Sequence, residues 1–166
     1  NQNQYPFVLS INCSSGNFPN AESFAEKCLR LPNSGGIGVI AASSTSYSGY
    51  NDAMTIGFFD AIWSNPGISP AFGSAGIPNP PATPHSDIHD LGYIMDHGLI
   101  RMTETFGDFE TSYKLFHLHG DPSLKLINED PTIITAVAQD TLQCGDTIYN
   151  VYSSNCPDGL ATLCVN

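Results

Sequence analysis

Positive charge is scarce in this chain. Lys27, Arg30, Arg101, Lys114 and Lys125 are its only Lys and Arg residues, against 16 Asp and Glu, and the net charge is −11. Phosphate contacts need clustered Lys and Arg, so nucleic acid is not expected as a partner. Charge of either sign is thin, at 13% of 166 residues, where an average domain carries roughly 25%. Asn, Ser, Thr, Gly and Pro fill the gap. That balance fits a loop-rich secreted or cell-surface protein better than a cytosolic one. No run of 18 apolar residues occurs, so no membrane span is expected. No leader pattern opens the chain either, so an exported protein would be represented by a mature or excised piece.

What is present is enough for one domain of ordinary size, or one domain and part of another. The hydrophobic share of 41% supports a packed core. Residues 5–13 read as a buried strand, apolar and bounded by turn residues. Asn20 is a candidate N-cap for a helix over 21–31, with Phe24, Ala25, Cys28, Leu29 and Leu31 on its buried side. The Pro32–Gly36 segment breaks it. Residues 37–42 form a second continuous apolar run, as in a parallel sheet covered on both faces. After a polar and aromatic loop, Asn51 or Asp52 can cap a helix carrying Met54, Phe58, Ile62 and Trp63 at near-helical spacing. This order predicts an α/β layer architecture.

Residues 64–86, rich in Pro, Gly, Ser and Asn, predict a long irregular loop. Helical patterning returns over 88–102 and 105–115, and 125–127 read as a short strand. Asn128-Glu129-Asp130-Pro131 is a candidate boundary. Beyond it, strand patterns at 132–137, 147–152 and 161–165 are separated by turn signals, as at the start of an antiparallel sandwich.

Cys13 carries the most chemistry. It ends the first apolar run and opens into Ser14-Ser15-Gly16-Asn17. Ligands of open α/β sheets bind at the carboxyl ends of strands, and a cysteine there is placed to be a nucleophile. The competing reading is an inert buried thiol. The backbone N–H of Cys13 or of Ser14 is a candidate oxyanion donor. Tyr47, in the loop after the second strand, shares the sheet edge with Cys13 if the two strands are parallel. Cys28 and Trp63 read as core. Cys144, Cys156 and Cys164 crowd the last residues, and any two of them can pair in an oxidising compartment.

The histidines are weaker candidates. His85 and His89 stand four apart near Asp87, Asp90, Asp96 and His97. On a helix they would share a face toward zinc, but no glutamate base sits between them. We therefore expect no metal or cofactor in the catalytic role, and leave only a structural calcium held by loop carboxylates as compatible with so acidic a chain. His117 and His119 alternate as strand residues do.

The string Phe7-Val8-Leu9-Ser10-Ile11-Asn12-Cys13-Ser14-Ser15-Gly16-Asn17-Phe18 resembles the nucleophile segment of gingipain-type cysteine peptidases. Ser23-Phe24-Ala25-Glu26 is similar to the family's following helix. Gly35-Gly36-Ile37-Gly38-Val39-Ile40-Ala41-Ala42-Ser43 is similar to its next core strand, and Gly120-Asp121-Pro122-Ser123-Leu124 to its closing segment. The resemblance implies a partial caspase-like three-layer αβα sandwich with a mostly parallel sheet over 1–130. It also implies the first strands of an immunoglobulin-like module over 131–166. By resemblance, the chemistry is that of a Cys–His dyad with an acyl-enzyme intermediate. Cys13 is then the nucleophile, Tyr47 a wall of the substrate cleft, and a peptide or protein the substrate. The family's histidine lies on the strand before the nucleophile strand, which puts it upstream of Asn1. The implied partner is thus the N-terminal half of the same protein, and this chain alone is expected to be inactive. A non-enzymatic extracellular structural or surface-assembly domain, a degenerate peptidase, is the alternative.

Overall fold

The computed structural model describes residues 5–19, 22–63, 87–128, 133–139, 141, 145 and 148–155. They fall in two compact units, Asn1–Ile127 and Asn128–Asn166.

In the first unit the elements run β1 (Phe7–Ser10), α1 (Phe24–Arg30), β2 (Gly38–Ala42), α2 (Ser48–Ile62), α3 (Leu91–Phe106), α4 (Glu110–Leu115) and β3 (Phe116–Gly120). The sheet has the order β1-β2-β3. Strand β2 is buried along its whole length, as its continuous apolar sequence requires. Its two faces separate the core. Val39 and Ala41 pack on Ala25 of α1, with Val8, Cys28 and Leu29 around them. Ile40 and Ala42 face α2 and α3 through Met54, Phe58, Leu91, Ile94 and Met102. Helices thus cover the sheet on both sides.

The expected mostly parallel sheet is instead mixed. β1 runs parallel to β2, with Leu9 opposite Ile40. β3 runs antiparallel to it, with His117 opposite Ala41 and His119 opposite Val39. The connection explains the reversal. α4 passes into β3 with no loop between them, and the Leu115 carbonyl accepts the Ser43 N–H at 2.8 Å. The chain therefore enters the sheet at the carboxyl end of β2 and runs back along it.

Helices α2 and α3 cross closely at Gly57 and Gly98. A Cβ on Gly57 would stand 2.8 Å from the Gly98 Cα, and one on Gly98 would stand 2.1 Å from Phe58 Cε1. Beside this crossing, buried Arg101 of α3 reaches Asp60 of α2 at 3.0 Å and Glu104 at 3.7 Å.

Several local expectations shift. α1 starts after Ser23, not after Asn20, because Ser23 and Glu26 form a reciprocal capping box. Phe24 and Leu31 are exposed, at the two ends of this short helix, while Ala25 is buried. α2 starts at Ser48 with Tyr47 in the cap position, so Asn51 lies one turn inside the helix. Trp63 is exposed and stacks on Phe59 with centroids 5.6 Å apart, since it follows the last buried turn of α2. Gly107, at φ 74°, ends α3 and separates it from α4. The expected strand over 125–127 is reduced to a single bridge between Lys125 and Asp90.

In the second unit β4 (Ala136–Ala138) pairs antiparallel with β5 (Val151–Ser153), and Val137 lies opposite Tyr152. The Asn155 side chain ties in the preceding segment. Its Nδ2 donates to the Ile133 carbonyl at 2.7 Å and its Oδ1 accepts the Thr135 N–H at 3.1 Å. The strand expected over 161–165 lies outside the described residues, as do Cys144, Cys156, Cys164 and the loop over 64–86.

Candidate active site

The turn after β1 is fixed before any side chain is considered. Ser14 holds a left-handed backbone, φ 59°, which non-glycine residues adopt only when their surroundings hold them there. Those surroundings are the end of β2 and the start of α1. The Ser14 N–H donates to the Ser44 carbonyl at 3.0 Å, and the Gly16 N–H to the Ala42 carbonyl at 2.9 Å. The Ser15 carbonyl accepts the Ala25 N–H at 3.1 Å. The Ser10 hydroxyl lies 2.7 Å from Asn12 Oδ1 and 2.9 Å from Ser15 Oγ, bracing the turn from the strand side.

This turn leaves Cys13 exposed, so it is not an inert core thiol. Its sulfur meets the loop after β2. The Ser46 N–H donates to Sγ at 3.4 Å, and the Ser46 hydroxyl lies 3.8 Å from it. As a thiol, Cys13 can donate to the Ser46 carbonyl at 3.7 Å. The Ser46 N–H and then its hydroxyl hold the thiol below its ordinary pKa, burial opposes them, and the cysteine's own N–H adds to the lowering. Both donors favour the charged form, which is the reactive one. Ser46 directly precedes the cap residue of α2, and no side chain caps that 15-residue helix. Its first N–H groups have no intrahelical partner, and their positive end favours a nearby anion.

Behind Ser46 stands Asn51. Its Nδ2 donates to Ser46 Oγ at 2.9 Å. Asn51 is only 7% exposed, and its Oδ1 is buried with no hydrogen-bond partner among the described residues. Its backbone is locked in the first turn of α2: its N–H donates to the Tyr47 carbonyl at 2.9 Å, and its carbonyl accepts the Thr55 hydroxyl at 2.8 Å.

Tyr47 follows Ser46 directly and is exposed. Its ring edges onto Tyr50 and Phe109, with centroids 6.4 and 5.7 Å away, and Tyr50 stacks on Phe109 at 4.3 Å. An aromatic cluster therefore begins one residue from the group that holds the sulfur.

His117 and His119 project on the α1 side of the sheet, in register with Ala41 and Val39. His117 Nε2 lies 3.3 Å from Ser43 Oγ. Phe18 sets its edge against both imidazoles, at 5.6 and 6.1 Å. Burial, then His117, lowers the His119 pKa, and Glu26 opposes them. Among the described residues no group of three or more His, Cys, Asp and Glu side chains is placed to hold a metal ion. His85 lies outside those residues.

The structure thus brings Cys13, Ser14 and the Ser46–Tyr47 segment to one edge of the sheet. The sequence reading gave neither Ser46 nor Asn51 a role at this site. Asn51 reads there as a helix cap, and Ser46 as one of several serines in a polar loop. The available signal is positional: the loop after a strand parallel to β1 must emerge beside the turn after β1.

Residues 1–127 match the protein family described as Peptidase family C25. Among solved structures, the fold is similar to the crystal structure of the Arg-specific cysteine proteinase gingipain R. The TM-score is 0.61 at 20% identity, and the match covers 93% of this chain and 33% of that one. The chain therefore spans about a third of that protein's length. No curated protein matches the sequence.

Proposed function

The chain belongs to peptidase family C25, and on that premise we propose that it carries the nucleophile of a cysteine endopeptidase. The observation that supports this most is the exposed Cys13 sulfur, held by the N–H and hydroxyl of Ser46 in a setting that favours thiolate. Thiolate, not thiol, attacks carbonyl carbon.

In this reading a C–S bond forms between Cys13 and the substrate carbonyl carbon, and the carbonyl electron pair moves onto oxygen. The Cys13 N–H is the better donor to that oxyanion, because the Ser14 N–H is already engaged with the Ser44 carbonyl. Ser14 serves only if that bond opens. Collapse of the tetrahedral species breaks the C–N bond, and an imidazolium gives its proton to the leaving amine. Water then hydrolyses the thioester. The imidazole belongs to polypeptide upstream of Asn1, which makes that part of the protein an obligatory partner. Tyr47 and the rings behind it form one wall of the substrate cleft. Residues 131–166 begin an immunoglobulin-like module, and the protein acts outside the cell.

A second reading, a non-enzymatic surface domain, draws support from one observation. The polar partner of the Cys13 sulfur among the described residues is Ser46 and not an imidazole. Peptide hydrolysis by the full-length protein separates the two. Cys13→Ala should abolish cleavage while leaving the fold intact. Cleavage retained in that variant removes the peptidase reading of this site.

A further inference from the structure

We propose that Asn51 and Ser46 are positioning residues for the nucleophile: the buried Asn51 amide fixes the Ser46 hydroxyl so that its proton is presented to the Cys13 sulfur. The inference rests on the reading of Cys13 as the nucleophile and adds to it two residues that hold no substrate.

A serine hydroxyl has one proton and two acceptor positions. Asn51 Nδ2 donates to Ser46 Oγ at 2.9 Å, which occupies an acceptor position and directs the hydroxyl proton elsewhere. The sulfur lies 3.8 Å from that oxygen and also receives the Ser46 N–H at 3.4 Å. Were the amide reversed, Oδ1 would accept the Ser46 proton and withdraw it from the sulfur. The side chain is therefore a selector, and only one of its orientations presents two donors from Ser46 to a thiolate.

The second observation is the one the fold does not need. Asn51 is 7% exposed and its Oδ1 has no hydrogen-bond partner among the described residues. A buried acceptor without a donor destabilises, and an apolar side chain of similar shape would avoid that cost. What the amide achieves is the bond to Ser46. Its support is rigid: the Asn51 backbone is tied at both its N–H and its carbonyl within a helix that buries Met54, Phe58 and Ala61. Among the described residues, Ser46 itself is anchored by this amide and by the sulfur it serves.

The test is the pH profile of Cys13 alkylation by iodoacetamide in the full-length protein. The Cys13 peptide is followed by mass spectrometry, with Cys28 as the internal reference. Ser46→Ala keeps the N–H and removes the hydroxyl, so the profile should move to higher pH. At neutral pH Cys13 should react about three- to tenfold more slowly, the worth of one ordinary hydrogen bond at an exposed sulfur. Ser46→Thr should restore the wild-type profile. Asn51→Leu should move it in the same direction as Ser46→Ala, and the double variant should move no further than Ser46→Ala alone, because one pathway is broken in both. An unmoved Ser46→Ala profile, or an Asn51→Leu shift that adds in full to it, overturns the proposal. If Asn51→Leu does not fold, the Ala and Thr pair at Ser46 still decides it. Alkylation needs neither substrate nor histidine, so the two readings fail separately. A shifted Ser46→Ala profile in a protein whose Cys13→Ala variant still cleaves peptides supports the positioning role and removes the peptidase reading of this site. An unmoved profile with cleavage lost in Cys13→Ala does the reverse.

Discussion

Gly16 lies against the imidazole of His119: a Cβ added to Gly16 would stand 2.8 Å from His119 Nε2 and 3.0 Å from the Ala41 Cβ. The turn that presents Cys13 is thus seated directly on β2 and β3. Gly16→Ala must lift that turn, because Ala41 belongs to the buried central strand and cannot give way. Overpacking of this kind costs about 1–3 kcal/mol, and a nucleophile displaced by about 1 Å can lose on the order of 10²-fold in rate. Thermal unfolding and peptide hydrolysis by the full-length Gly16→Ala protein check both. Activity should fall far more than the loss of stability explains.

The same contact gives His119 a pH signature. Burial and the neighbouring His117 lower its pKa in the fold, against the pull of Glu26. Between that lowered value and the ordinary one of about 6.5, the unfolded chain binds more protons than the native one. The neutral-imidazole contribution is therefore complete above about pH 6.5 and is lost as pH falls through this window. His119→Gln should flatten that part of the curve. Melting temperatures of the two proteins should converge as pH drops below about 6.5, and parallel curves would remove the assignment.

Ser23 ties α1 to the site. It accepts the Glu26 N–H at 3.3 Å while Glu26 Oε2 accepts the Ser23 N–H at 2.9 Å. The next residue but one, Ala25, donates to the Ser15 carbonyl of the turn. Ser23→Ala should destabilise the protein by about 1 kcal/mol in denaturant titration, the usual worth of a lost N-cap. Ser23→Asp should recover most of it.

The α2–α3 crossing tolerates no added methyl. Gly98 sits inside α3, where alanine would ordinarily gain about 1 kcal/mol in helix propensity. Phe58 Cε1 at 2.1 Å from the new Cβ reverses that sign. Gly98→Ala should lower the melting temperature, with a net cost of about 1–3 kcal/mol. Pairing it with Phe58→Leu should return part of the loss, since the clash is with the ring.

The elements carried by continuous or periodic apolar patterns were legible in the sequence. β2 is the clearest, since Val39 to Ala42 has no polar residue and is buried on both faces. Cys13 was legible because a strand, a thiol and a small-residue turn stand together. The direction of β3 was not, because no residue type records that α4 enters the sheet without a loop. Asn51 was misread for a related reason. Asn favours caps in general, but here Tyr47 takes the cap position and the Asn51 amide turns to Ser46. Trp63 was misread because helical spacing fixes a face without saying where the helix leaves the core. Ser46 left no compositional trace, being one serine among four over residues 43–48 and distinguished only by its distance to the sulfur.

On the proposed reading, Cys13 is the nucleophile that the substrate acylates. The most direct test is labelling of the full-length protein with a peptide-based electrophile that traps catalytic thiolates, followed by mapping of the modified residue. The account predicts label on Cys13 alone, blocked by prior incubation with peptide substrate and lost in Cys13→Ala. Label shared equally with Cys28, or Cys13 left unmodified while the protein cleaves peptides, would contradict it.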